Sequence, residues 1–214
     1  MLMLDFKKTQ KDFYRPATTP AIIDIPEMLF IAADGRGNPN TSPEYAAAVQ
    51  LLYALSYSIK MNNKAILEYV VPPLEGLWAL DDPDFKGGGL PITDKDKFIW
   101  TMMIRQPEFV TPEIFEAAKA AVAKKKPDLD ITKARLKRFT EGLCVQIMHI
   151  GPYDDEPQTI AIMEKFAIEQ GYKIDMAVGR RHHEIYISDP RKTAPARLKT
   201  IIRHPINSFI GKGG

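Results

Sequence analysis

The stretch LCVQIMHIGPYDDEPQTIAIMEKFAIEQG (Leu143–Gly171) reads as a strand (LCVQIMHIG), a turn (PYDDEP) and a helix that stops at Gly171. Two more strand-like runs follow it, HHEIYISDP and ARLKTIIRHP. The same order stands earlier in the chain. AIIDIPEMLFIAADGRGNPN is an extended segment closed by a Gly- and Asn-rich turn, and TSPEYAAAVQLLYALSYSIK is a helix. Ser42 suits its N-cap, Pro43 its first position and Glu44 its first turn, while Val49, Leu52, Tyr53, Ser56 and Ile59 recur at helical spacing. ILEYVVPPLEGLWAL and FIWTMMIRQP then supply two strands. Each half thus reads strand, helix, strand, strand. IRQP (Ile104–Pro107) closes the first half and IRHP (Ile202–Pro205) the second, and Asp82-Pro83 echoes Asp189-Pro190.

These halves predict an α+β fold of tandem strand-helix-strand-strand modules with pseudo-two-fold symmetry. Helices lie on one side of antiparallel sheets, and a ligand cleft lies between the modules. The modules span residues 22–110 and 143–206, within one domain of residues 22–206. Between them, residues 111–142 read as a helical connector: one helix from Thr111-Pro112-Glu113 and a second over ITKARLKRFTE up to Gly142. Residues 1–21 read as a loosely attached extension and 207–214 as a tail. KGGGLP lacks the Lys-Ser/Thr ending of a phosphate loop and reads as a flexible loop around Gly87–Gly89, able to act as a lid.

With 214 residues, 45% hydrophobic and 26% charged, the chain can bury a sizeable core, and its net charge of +2 does not call for nucleic acid or a membrane. The runs Lys124–Lys126 and Lys133–Arg138 are interrupted by acids and carry no aromatic ladder, so they read as a solvated helix face. One cysteine, Cys144, in an apolar run is expected to be a buried thiol. No leader and no span-length apolar segment is legible, so a cytoplasmic location is expected.

In HHEIYISDP, period-two alternation puts His182, Glu184 and Tyr186 on one face and His183, Ile185 and Ile187 on the other. The isoleucine face is expected against the helices, which turns Glu184 and Tyr186 towards the uncovered cleft. Phe98, Trp100 and Met102 share a face in the first half and offer it an apolar wall. A carboxylate among such rings is expected to titrate high. His182 and His183 point to opposite faces, and His149 and His204 show no ligand spacing with them, so no metal and no cofactor are expected.

The turn GRGNPN, with LEGLWAL, FIWTMMIRQP, GPYDDEP and HHEIYISDPRK in this order, resembles the GyrI-like small-molecule-binding family over Ile22–Ile206. The closest resemblance is to a bacterial stand-alone subgroup without a DNA-binding segment. It implies two strand-helix-strand-strand modules around a cleft. It also implies either a binder of cationic aromatic drugs or a cyclopropanoid cyclopropyl hydrolase, which opens the strained ring of DNA-alkylating natural products. A third, remoter implication is a gyrase-inhibiting interaction module. By the resemblance Glu184 is the site carboxylate and Tyr186 its aromatic partner, both expected to be catalytic. Trp78, Trp100 and Tyr153 belong to the ligand-binding aromatic surround, joined by His182, Phe98 and Met102. The implied partner is a hydrophobic, planar small molecule.

Overall fold

The computed structural model describes residues 3–81, 92–176 and 179–208. Gly87–Gly89, the expected lid, lies outside the described residues, as does Asp82-Pro83. Two short helices, α1 (Phe6–Thr9) and α2 (Lys11–Tyr14), open the described chain. The first module is β1 (Ala21–Arg36), α3 (Pro43–Asn62), β2 (Leu74–Leu80) and β3 (Phe98–Gln106). Helix α4 (Pro112–Lys125) leads to the second: β4 (Ala134–Ile150), α5 (Glu156–Glu169), the short β5 (Tyr172–Ile174), β6 (His182–Tyr186) and β7 (Lys199–Ser208). The strand-helix-strand-strand repeat is therefore present. Ser42 caps α3 by accepting from the Tyr45 N–H, and Thr111 caps α4 by accepting from the Ile114 N–H. Gly171 follows α5 with φ +83°, a left-handed conformation that suits glycine.

All strand pairs are antiparallel, in the order β4-β1-β3-β2-β6-β7, and β4 also pairs with β7. Six strands therefore close into a ring, with β5 added along β7. Closure depends on the two long strands. β1 and β4 pair with each other while their other edges take β3 and β7. Helices α3, α4 and α5 lie outside the ring. Helices α3 and α4 cover the first module through Leu52, Leu55 and Phe115 against Ile31, Trp100 and Ile104. Helix α5 covers the second through Ile160 and Met163 against Val145, Ile147 and Ile202.

Three expectations are corrected. ITKARLKRFTE is not a helix: after a single tight turn at Ile131–Lys133 it runs as the first half of β4, pairing from Ala33↔Ala134 to Glu27↔Thr140. Ladder bonds to β1 outweigh the helix propensity of its Lys, Arg and Leu residues. Its cations sit on that strand, where Arg135 pairs with Asp34 and Arg138 with Glu27 and Glu108.

Residues 3–20 are also no loose end. Phe6 and Tyr14 are buried against Met148, Ile185 and Ile201 on the ring's inner side. Arg105 lies over the Phe6 ring and bonds to Gln10 and Tyr14, and Arg203 donates to the Phe13 carbonyl. These are the arginines of IRQP and IRHP. The echo thus marks two equivalent β positions whose side chains turn inward and hold the N-terminal segment.

Finally, Ile185 faces this inner packing rather than α3 or α5. A closed ring fills its own interior, so the face left for a cleft is the one that carries the helices. Among the described residues no helix is long and apolar enough to cross a membrane.

Candidate functional site

His182, Glu184 and Tyr186 share one face of β6, as alternation requires, and that face opens between α3 and the start of α5. A cavity of about 1290 Å³ occupies this gap, lined among others by Tyr45 and Tyr53 of α3, Trp78 and Phe98 of the first module, and Tyr153. Tyr45 stacks on Trp78 with centroids 6.0 Å apart and meets Trp100 edge-on at 5.3 Å. Trp78 and Phe98 make an edge contact at 5.6 Å, and Tyr153 and Tyr186 another at 5.9 Å. Trp100 and Met102 lie one layer deeper, in the core beneath these rings, and do not line the cavity. The Trp100 ring lies so close to Gly35 that a Cβ there would fall 2.1 Å from it.

At the inner end of the cavity, Glu184 is held from both sides. Tyr186 Oη donates to its Oε2 at 2.7 Å, and the Trp78 indole N–H donates to Tyr186 Oη at 3.0 Å. His182 Nε2 lies 2.9 Å from Glu184 Oε1. Glu156, the first residue of α5, comes in from the helix that covers the same module. It is 5% exposed, it bonds to Glu184, and its Oε1 has no protein partner.

Two carboxyls this close cannot both ionise. Burial and the charge of Glu184 push Glu156 well above the usual carboxyl range. Burial pushes Glu184 upward too, but the hydrogen bonds from His182, Tyr186 and Glu156 together outweigh it and hold Glu184 low. The expectation that Glu184 titrates high is thereby corrected: the high-titrating carboxyl is Glu156. Burial and the same carboxylate raise Tyr186 well above its ordinary value and Tyr153 to about 12, so both stay phenols.

His182 and His183 do point apart, the latter into the ring towards Glu75 and Glu141. His204, set aside on spacing, meets His182 at 2.7 Å because β6 pairs with β7. Among the described residues, Glu156, His182 and Glu184 bring one donor atom each within 4.8 Å of one another.

Sequence reasoning missed Glu156, Tyr45 and His204. Glu156 stood in PYDDEP, where an acid at a helix start is the ordinary complement of the helix dipole and nothing distinguishes it from Asp154 and Asp155. Tyr45 read as one more residue of the α3 first turn.

The family model for the GyrI-like small-molecule-binding domain matches residues 18–207. The chain belongs to this family. It is similar over 95% of its length to an uncharacterized conserved protein from Listeria innocua, covering all of that chain at 45% identity and TM-score 0.89. A Listeria innocua protein described as a hydrolase matches 96% of this chain and all of its own at 44% identity, TM-score 0.86. The C-terminal domain of EcmrR, at 13% identity and TM-score 0.51 over 89% of this chain and 98% of its own, shares the fold. No curated protein matches the chain.

Proposed function

We propose that this GyrI-like domain takes planar, hydrophobic electrophiles into the cavity and adds water to them, with cyclopropanoid DNA-alkylating agents as the substrate class. The observation that carries this reading is the meeting of Glu156 and Glu184 at the end of an aromatic-walled cavity, with burial and the neighbouring charge pushing Glu156 up and hydrogen bonds holding Glu184 down. Aromatic faces hold a planar ligand at about 0.5–1.5 kcal/mol per well-placed ring. The pair supplies a base and an acid side by side. The name of the Listeria hydrolase supports hydrolysis at this level of similarity.

In this scheme Glu184 takes a proton from a bound water whose oxygen bonds to a cyclopropane carbon. The ring C–C bond breaks, its electron pair passes into the conjugated carbonyl, and that oxygen takes the proton of Glu156. The sum is addition of one water. The bond between the two carboxyls then carries the proton from Glu184 back to Glu156. Tyr186 keeps Glu184 oriented, and Trp78 keeps Tyr186 oriented.

The test mixes the protein with a chromophoric cyclopropanoid and follows absorbance and product mass. Multiple turnovers to a product 18 mass units heavier, the mass of one water, support the reading. Glu184→Gln and Glu156→Gln should each lower turnover by about 10²-fold or more while retaining ligand binding. Stoichiometric binding without product would instead favour a sequestering or sensing protein, the role an ionised Glu184 under aromatic rings would suit for a cationic ligand.

A further inference from the structure

Three hydrogen bonds link Glu184 to the flank of α5. Glu184 Oε1 meets His182 Nε2 at 2.9 Å, His182 Nδ1 meets His204 Nε2 at 2.7 Å, and His204 Nδ1 meets Glu164 Oε1 at 2.8 Å. Both rings are buried, whereas the Glu164 side chain keeps 22% of its surface exposed. Glu156 and Glu164 stand eight residues apart on α5, so one helix face delivers both carboxyls to the two ends of this chain of bonds.

The polarity of the bonds follows from what each group can do. A carboxylate only accepts, so Glu164 takes the Nδ1–H of His204. Burial holds His204 below the ordinary histidine range, hence neutral, and a neutral ring protonated at Nδ1 must accept at Nε2. His182 therefore donates its Nδ1–H to His204. Its Nε2 faces Glu184, and with a proton there it donates to the carboxylate; stripped of that proton it would accept one from Glu184 instead.

We propose that Glu164 and His204 are positioning residues which, acting through His182, keep Glu184 the proton-free member of the carboxyl pair and leave the proton on Glu156. This rests on the reading of Glu184 as base and Glu156 as acid. The array decides which carboxyl plays which part, because the two are otherwise neighbours in the same apolar cavity. The other ionisable groups facing them are Tyr186 on β6, Tyr153 before α5 and Tyr45 on α3, with Asp154 and Asp189 further out. Glu141 on β4 points into the ring beside His183 and Arg203 and reaches His204 only through its charge. The three tyrosines stay neutral; Tyr186 supports the ionised Glu184 by donating to its Oε2, while the array acts on Oε1 through His182.

The test uses the full-length chain with Glu164→Gln, and Glu164→Asp as the charge-retaining control. Without substrate, ¹⁵N NMR of the ring nitrogens reads the array directly. The wild type should show His204 as the Nδ1–H tautomer with its Nε2 accepting from His182 Nδ1–H, and Glu164→Gln should lose that tautomer preference. With a chromophoric cyclopropanoid, the acid limb of the kcat/KM profile should move to higher pH by about half a unit or more in Glu164→Gln, with KM within about twofold, and Glu164→Asp should restore it. An Nε2–H tautomer at His204, or an acid limb unmoved in Glu164→Gln, overturns the proposal. If no cyclopropanoid turns over, the hydrolase reading falls, and the NMR arm decides the array alone.

Discussion

Glu184 shows how far one residue's behaviour departs from its local setting. Strand alternation correctly gives the face it shares with His182 and Tyr186, because that depends only on backbone geometry. Its charge state depends on groups 28 residues upstream and on both neighbours of its own face. Tyr186→Phe tests that sum. It removes one donor to Glu184 and leaves the Trp78 N–H unpaired. The expected loss is about 1–3 kcal/mol of stability in chemical denaturation, together with a rise in the pH at which Glu184 takes up a proton. A second residue-scale test is Gly35→Ala. The added methyl would meet the fully buried Trp100 ring, so denaturation should show a loss of about 1–3 kcal/mol or more and the near-ultraviolet tryptophan signal should change.

At the scale of elements, the helices α3, α4 and α5 were legible from caps and period. The strand over Ala134–Glu141 was not, since its Lys and Arg residues fit either reading and only the β1 ladder settles the matter. The N-terminal helices illustrate the same limit. Nothing in FKKT or KDFY announces burial, yet Phe6 carries the Arg105 guanidinium 4.0 Å above its ring. Phe6→Ala should cost about 3 kcal/mol by denaturant titration. A cost below about 0.5 kcal/mol would mean that the segment does not hold the ring from within.

Across the whole molecule, ring closure traps ionisable groups inside. His183 lies between Glu75, 3.1 Å away in a poorly aligned ionic contact, and Glu141 at 2.9 Å, with Arg203 against the same Glu141. Burial alone would push the His183 ring down, but the two carboxylates more than offset it and raise it to about 9. Burial would raise Glu141, and His183 with Arg203 instead lowers it to about 2. Both shifts describe largely the same contact. Histidine bound more tightly to its proton in the folded state stabilises the fold fully below about pH 6.5, and that contribution fades as pH rises towards 9. The depressed carboxyl stabilises above about pH 4.5, and its share fades as pH falls towards 2. Thermal unfolding followed against pH should therefore show a maximum between these limits, and His183→Gln should flatten the alkaline side.

The repeat, the order of its elements and the faces their side chains share follow from local properties of the backbone: caps, turns and the periods of helix and strand. Closure of six strands into a ring, a cleft on the helix-bearing side and the meeting of Glu156 with Glu184 there emerge only in the folded chain. Those outcomes depend on pairing and packing between residues far apart in the chain. The position of the shared proton depends on them further, as a balance of burial, charge and hydrogen bonds drawn from both modules.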